Sequence, residues 1–400
     1  MGESTAVLSQ PKICGLGERC CGCGACAAIC PKGCIEMLSD SAGFRRPTVD
    51  ENACEACGMC ERVCPALNKR DRDSSETAWW ARSADDELLD ESSSGGLFGL
   101  LARNVINHGG TVYGAAYDNG CKAVRHLRVD SFDGLGAVMR SKYVQSAIDS
   151  DAYQGVARDL KTGLHVLFSG TACQVSGMRG YLEARRVPMD RLLLVDVICH
   201  GVPSPRLWHD WIEYREKRAG GAIREANQRS KSSGWTTFSV AYKYATEKVE
   251  SSAFGEDWYM RAFLNNASLR GSCLACPAKR SCGSDITLGD YWGVKERHPE
   301  AFDDRGVSAV IANTAKGFEA IEGFGDLLVK GPSTVEDIAF GNPSLVKPVV
   351  PYARREAFLD DVAAGTPVGE LMRRWSFKPS LQKRAVGKLK RVVKKMIGRG

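Results

Sequence analysis

The residue type that can do chemistry in this chain is cysteine, and its spacing is regular. Residues 20–34 read CCGCGACAAICPKGC, where Cys20, Cys23, Cys26 and Cys30 fall into the pattern CxxCxxCxxxC with Pro31 directly after the last. Residues 54–65, CEACGMCERVCP, repeat it as Cys54, Cys57, Cys60, Cys64 and Pro65. Three thiolates two residues apart wrap three corners of one cubane, and the fourth, turned away by the proline, ligates the other cluster. The spacing therefore predicts two [4Fe-4S] clusters, one on Cys20, Cys23, Cys26 and Cys64 and the other on Cys54, Cys57, Cys60 and Cys30. Two tetrahedral zinc sites are the competing reading, but zinc uses only four sulfurs and leaves the third CxxC step and the doubled CP ending unexplained. Cys14, Cys21 and Cys34 are out of register and are expected to be small buried hydrophobes.

The rest of the chain must position this module and give its electrons a destination. Most of the 17 cysteines lie between residues 14 and 67 of 400, too clustered for a disulfide scaffold and suited to metal in a reducing compartment. The start, MGESTAVLSQPKIC, has no charged-then-apolar secretory pattern, and no apolar run is long enough to span a membrane, so a cytoplasmic location is expected. Residues 68–78, NKRDRDSSETA, read as a linker. After it, SGGLFGLLARNVINHG reads as a helix, and GTVYGAAY, GLHVLFSG and RLLLVDVIC read as strands. The expected fold class is α+β with α/β: a small ferredoxin-like two-cluster module, a larger mixed α/β domain, which the resemblance described next implies to be flavin-binding, and a basic amphipathic C-terminal helix.

Five blocks in order, ESSSGGLFGLLARNVINHGGTVYGAAYD, MRSKYVQS, FSGTACQVSGMRGYL, VICHGVPSPRLW and CLACPAKRSCGSDITLGDYWG, resemble the coenzyme F420 hydrogenase/dehydrogenase beta-subunit family. The resemblance covers about residues 15–350. With the cysteine module it gives a ferredoxin-type domain over 1–67, an N-terminal-type domain over 79–160 and a C-terminal-type domain over 161–350; residues 351–400, beyond it, read from their own pattern as a helical, basic amphipathic tail. It further implies FAD and electron flow between clusters and flavin. A deazaflavin coenzyme or another small organic acceptor would then exchange hydride with the flavin.

Ser93, Ser94, Gly95 and Gly96 open a helix with hydroxyls and bare amides, either an ordinary serine cap or, as the resemblance implies, a flavin phosphate site. Lys142 would face a phosphate or the flavin N1–C2 carbonyl edge. Gly170, Thr171 and Gln174 form the turn that matches the family's Gly-Thr-Pro-Cys-Gln; Ala172 stands where proline is usual and is expected to loosen it. Cys173, Cys199, Cys273 and Cys276 would hold a third [4Fe-4S] cluster beside the flavin, with Cys282 as a substitute ligand; without that cluster, Cys173 and Cys199 are redox-active thiols, Cys199 then being a catalytic candidate, or merely buried ones. His200, next to Cys199, is a candidate proton donor, and Asp285, Asp290 and Trp292 would brace the cluster loop. No GxGxxG follows a strand and no GxxxxGK[ST] occurs, so direct use of NAD or ATP has no support.

From Arg373 onward the chain carries eleven Lys or Arg and no Asp or Glu. Residues 381–397 alternate apolar and basic positions at helical spacing, as in a helix lying on an anionic membrane. Nucleic acid is a poorer partner, because nothing else in the chain is basic. The function expected is an iron–sulfur flavoprotein oxidoreductase fed by a ferredoxin-like donor or a redox partner subunit. The alternatives are an electron-relay subunit without a substrate site of its own and a partner protein of polysaccharide biosynthesis.

Overall fold

The computed structural model describes residues 10–70 and 76–378. In the cysteine-rich module, Ile35–Ser39 (β1) and Arg45–Val49 (β2) form an antiparallel hairpin. Asp40 closes it by accepting the amide hydrogens of Ala42 and Phe44. Two short helices, Ala25–Ile29 and Met59–Arg62, occupy equivalent places in the two sequence repeats, each entered through a left-handed glycine, Gly24 (φ 85°) and Gly58 (φ 71°). The turn after the second cysteine of each CxxC step needs that backbone, which side chains resist.

The body is built from strands Thr77–Ser83 (β3), Thr111–Tyr117 (β4), Val124–Val129 (β5), Val166–Thr171 (β6), Leu192–Val197 (β7), Ile223–Ser230 (β8), Ser239–Tyr244 (β9), Val249–Ala253 (β10), Ile286–Asp290 (β11), Ser308–Ala312 (β12) and Leu328–Ser333 (β13). Eight of them form one mixed sheet in the order β13-β3-β12-β11-β7-β6-β4-β5. The four central strands, β4, β6, β7 and β11, run parallel, and the flanking pairs are antiparallel. Strand β7, LLLVDV, is apolar almost throughout because both faces of a central parallel strand are covered. Parallel strands also bring their C-terminal ends to one edge, where the loops SGTACQ, ICHGVPS and GDYWG gather.

Helix Leu97–Asn107 packs on one face of the sheet through Leu97, Leu101 and Val105, against Leu167 and Val195. Helices Ser150–Lys161 and Ala172–Ala184 cover the other face, and the cysteine-rich module lies against them in the same core: Cys20, Cys23, Ala25 and Ile29 join Tyr153, Val156, Val175 and Met178. The three-stranded sheet β8–β9–β10 packs with helices Pro205–Ala219 and Trp258–Leu264 around an aromatic cluster that includes Trp208, Trp211, Tyr242, Trp258 and Tyr259.

The expected mixed α/β body is present, with three differences in detail. Residues 77 and 78, read as the end of a linker, already pair in β3 with Ala312 and Ile311 of β12. The segments expected as separate domains over 79–160 and 161–350 contribute strands to the same sheet, because β4 and β5 extend it beyond β6. Ala172, expected to loosen its turn, starts a helix fixed by a reciprocal cap: Gln174 Oε1 accepts the Thr171 amide hydrogen at 2.9 Å, and the Thr171 side chain caps the third turn position. The basic amphipathic stretch of the tail lies outside the described residues, and among those residues no helix is long and apolar enough to cross a membrane.

The module docks with its backbone against the body. A Cβ on Gly24 would stand 2.5 Å from the carbonyl oxygen of Ile148, whereas one on Gly33 (φ 63°) would meet nothing within 4 Å. Both positions have left-handed backbone, worth about 1–3 kcal/mol of strain to a side chain, but Gly24 adds a collision with fixed backbone. Gly24→Ala is therefore expected to lower the thermal midpoint of the cluster-loaded protein clearly more than Gly33→Ala. Equal midpoints would show that the docking is looser than described.

Candidate redox centre and adjoining cavity

Cys20, Cys23, Cys26 and Cys64, the four thiols that spacing assigned to one cluster, line one small cavity together with Cys21, Met37 and Pro65. All four are buried. Burial raises the Cys23 and Cys26 thiols well above the ordinary range, and neighbouring sulfurs raise them further. Such thiols would be deprotonated only against strong positive charge, which iron supplies. The second group lies further out: Cys60 is buried, Cys30 and Cys54 are half-buried, and Cys57 is exposed. Cys34, expected to be inert, sits with this group, its Sγ 3.4 Å from Cys30 Sγ, and burial pushes its thiol up to about 12. Among the described residues no group of three or more His, Cys, Asp or Glu is arranged to hold a single metal ion.

A third group forms at the C-terminal edge of the sheet. Cys173 follows β6, Cys199 follows β7, and Cys273 and Cys276 come from the loop 271–276; all four line one pocket. Cys199 lies within electrostatic range of the other three. Burial pushes Cys273 up to about 12 and also raises Cys199 and Cys276. Cys173 is the exception, lowered to about 6, first by a hydrogen bond from Cys21, with Thr171 and the Arg270 charge also acidifying it. Two cations flank the group: Arg270, and Lys279, whose ammonium donates to the Cys199 carbonyl at 2.8 Å. This donor set, four thiols with compensating positive charge, fits an anionic iron–sulfur cluster.

Two expectations about this region change. Cys282 is not part of the group; it is buried against Ser284, 3.3 Å away, and near Asp196. Asp285 does not brace the cysteine loop, because its carboxylate accepts the Leu194 amide at 2.8 Å and the Thr314 hydroxyl at 2.9 Å, tying β7 to the segment after β12. Cys21 is the residue that sequence reasoning missed. It lines both the first small cavity and the third pocket. The only signal for it was the cysteine doublet at 20–21.

Beyond the third group opens a cavity of ≈870 Å³. The two spaces share wall residues, among them Thr171, Cys199, His200 and Gly201. Ser93, Ser94, Gly96, Lys142, Gly170, Thr171 and Gln174, all singled out from sequence, line the cavity. Gly95 does not. It packs against β3 and β12, where a Cβ would lie 2.5 Å from the Ala81 carbonyl oxygen. Gly96 (φ 86°) starts helix Leu97–Asn107 without a side-chain cap, leaving the first amides of that helix beside the cavity. The Ser94 hydroxyl donates to the Val307 carbonyl, and the Ser93 hydroxyl accepts the Ser141 amide. The Lys142 ammonium is turned back on its own loop, donating to the Met139 carbonyl at 2.5 Å, and burial lowers its pKa to about 7. His200 Nε2 lies 2.6 Å from Asn266 Oδ1; because Asn266 Nδ2 donates to the Val350 carbonyl, Oδ1 is the acceptor and Nε2 carries the hydrogen.

Arg229 is the second residue missed. It is 2 % exposed, lines the cavity, and donates to Asp290 Oδ1 at 2.6 Å and to the Ser93 carbonyl at 3.2 Å. Its plane lies between Phe238 (4.0 Å) and Trp292 (4.9 Å), and Trp292 stacks on Trp235. Its Nε and Nη1 have no partner among the described residues. Asn342 Nδ2, in the same cavity wall, is likewise unpaired among them. Buried donors left unpaired cost about 1–3 kcal/mol each, which an acceptor-bearing ligand would relieve. The wall otherwise includes Phe98, Phe254, Met260 and Phe263. An extended ligand with an anionic part near Ser93 and a flat apolar part fits these residues.

Two family models match parts of this chain. Residues 164–329 match the family model for the C terminus of the coenzyme F420 hydrogenase/dehydrogenase beta subunit, and residues 19–68 match that of the 4Fe-4S dicluster domain. A solved chain from the F420-reducing [NiFe] hydrogenase complex of Methanosarcina barkeri is 17% identical with a TM-score of 0.46, over 78% of this chain and 94% of that one. DNA-directed RNA polymerase subunit Rpo3 of Methanosarcina mazei is 47% identical over 47 residues, and its Methanosarcina acetivorans counterpart 45% over 47 residues. These stretches are 12% of this chain, which spans only 17% of the length of either relative.

The Arg229–Asp290 pair is the electrostatic keystone of the cavity wall. Asp290→Ala leaves a buried guanidinium uncompensated and is expected to cost about 3–5 kcal/mol of stability in denaturant titration. The double variant Arg229→Met/Asp290→Leu removes both charges and is expected to cost less than the single. A double variant as unstable as the sum of two singles would show that the pair is not coupled.

Proposed function

We propose that this chain, which belongs to the coenzyme F420 hydrogenase/dehydrogenase beta-subunit family and carries a 4Fe-4S dicluster domain, is an iron–sulfur flavoprotein oxidoreductase. The observation that carries this reading is continuity: the cavity of Cys20, Cys23, Cys26 and Cys64 meets the third cysteine pocket at Cys21, and that pocket meets the large cavity at Thr171 and Cys199. Electrons would enter at the exposed Cys57 end from a ferredoxin-like donor or a partner subunit and leave toward the cavity.

In this reading Cys20, Cys23, Cys26 and Cys64 hold one cluster, Cys54, Cys57, Cys60 and Cys30 the second, and Cys173, Cys199, Cys273 and Cys276 a third. FAD, bound in the cavity, supplies conversion between one-electron carriers and a two-electron acceptor. The chain's own residues bind and orient. The free amides at the start of helix Leu97–Asn107 and the Arg229 guanidinium offer donors to the phosphates. Phe98, Phe238 and Phe254 supply apolar surface and keep water out. Gly170 and Thr171 bring backbone close to the flavin, and Gln174 holds that turn by donating to Ser146. His200, read from sequence as a proton donor, has its hydrogen fixed on Nε2 by Asn266 and presents Nδ1 as a proton acceptor instead. A small organic molecule is the acceptor, and the deazaflavin coenzyme is one candidate. The composition of the basic tail supports a station at the inner face of an anionic membrane.

The test is quantitation of iron, sulfide and acid-released flavin in anaerobically purified protein. About twelve irons with one FAD is the expected result, four per cluster. About eight irons with FAD would remove the third cluster. Iron without flavin would leave an electron relay lacking its own substrate site.

A further inference from the structure

The rim of the large cavity is apolar where it meets solvent. Residues 340–351, FGNPSLVKPVVP, hold one Lys and no Asp or Glu. Most of the stretch from Gly341 to Val350 lines the cavity, as does Leu264 at the end of helix Trp258–Leu264. Yet Phe340, Val346 and Val350 are 55 %, 50 % and 79 % exposed, and Leu264 is 41 % exposed. An apolar residue exposed singly needs no explanation, whereas several on one short segment around an opening mark a surface that something covers.

This exposure does not come from a loose loop. Leu345 is buried in the body, the Lys279 ammonium donates to the Ser344 carbonyl, and Asn266 Nδ2 donates to the Val350 carbonyl at 2.7 Å. Pro343, Pro348 and Pro351 carry no amide hydrogen, so the segment brings few backbone donors that an apolar medium would leave unpaired. Its one charge, the exposed Lys347, has no carboxylate partner among the described residues. Asp337, on the helix that ends beside Phe340, is itself paired with Arg297 at 3.6 Å.

The basic tail continues from the same place. Phe377 packs edge-on against Tyr352 (5.5 Å) and Phe358 (5.1 Å), so residues 379–400 follow from a point beside Pro351, the end of the apolar segment. From Arg373 onward the chain carries eleven Lys or Arg and no acidic residue. A segment without carboxylates offers that tail no charge to pair with. Both suit one partner that is apolar and anionic at once, which describes an anionic lipid surface.

We propose that segment 340–351, with Leu264, is a lipid-docking face that seats the mouth of the cavity on an anionic membrane. The inference rests on the membrane station read above from the tail's composition, and gives that station a place on the fold. The apolar side chains enter the boundary between headgroups and acyl chains, while Lys347 and the tail are held by the anionic headgroups. Seated in this way, the cavity opens toward lipid.

The experiment sediments the full-length, cluster-loaded protein with vesicles of phosphatidylcholine, alone or mixed with phosphatidylglycerol, and compares wild type with Val346→Asp/Val350→Asp. Both side chains are exposed, so the variant is expected to keep the iron content and thermal midpoint of wild type. Wild type is expected to bind the mixed vesicles, less at high salt, and the variant to bind them about tenfold more weakly. Flavin content does not enter this readout. No binding of wild type to the mixed vesicles would overturn the membrane station and the docking face together. Equal binding by the two proteins would leave the station to the tail alone and overturn the face. Tighter binding by the variant would show a tail released from the segment, and a lipid-free dimer in ultracentrifugation that the variant dissociates would show a second copy as the occupant; either result overturns the proposal.

Discussion

The architecture turns on one buried guanidinium. Arg270, fully buried, donates to the Cys20 carbonyl, to Gln145 Oε1 and, at 2.8 Å, to the Arg45 carbonyl, and lies over the Phe44 ring. It thereby fixes the module's hairpin and the first cysteine segment to a loop of the α/β body. Its charge is not matched by a carboxylate among these partners, so it also projects positive potential into the third cysteine pocket. A residue that both ties the module down and prepares an anionic site couples structure to redox chemistry. An uncharged donor could do only the first.

The protein stores its thiols in an environment that disfavours their ionisation. Burial raises most of the inner cysteines, and their mutual repulsion would grow with every deprotonation. Iron–sulfur binding would reverse both costs, and much of the free energy of cluster binding would then be free energy of folding for this region. The outer cysteines lie closer to solvent, which gives the line of centres a direction: accessible at Cys57, enclosed at Cys23, and opening again through the cavity beside Cys199.

Much of this was legible in sequence because it depends on local spacing. The two CxxCxxCxxxCP runs, the helix after SSSGG and the apolar strands β4, β6 and β7 are each encoded within a dozen residues. What was not legible is tertiary. Arg229 and Arg270 look like surface arginines until a sheet and two loops close over them. Cys21 looks spare until the module is docked. Gly95 and Gly96 are indistinguishable in sequence, yet one touches β3 and the other turns a helix toward the cavity. Lys142 carried the right charge in the right block, but its ammonium spends its hydrogen bonds on neighbouring carbonyls.

The docked position of the module also constrains how the protein is made. Tyr153 donates to the Cys23 carbonyl at 2.9 Å, and a Cβ placed on Gly177 would stand 3.1 Å from Cys23 Sγ, so helix Ala172–Ala184 presses its bare backbone against that sulfur. With that helix in place, Cys23 is buried against the body. In the proposed assignment, a cluster on Cys20, Cys23 and Cys26 would have to be placed before the body closes on them. A cluster on the outer group, with Cys57 at the surface, would remain reachable afterwards.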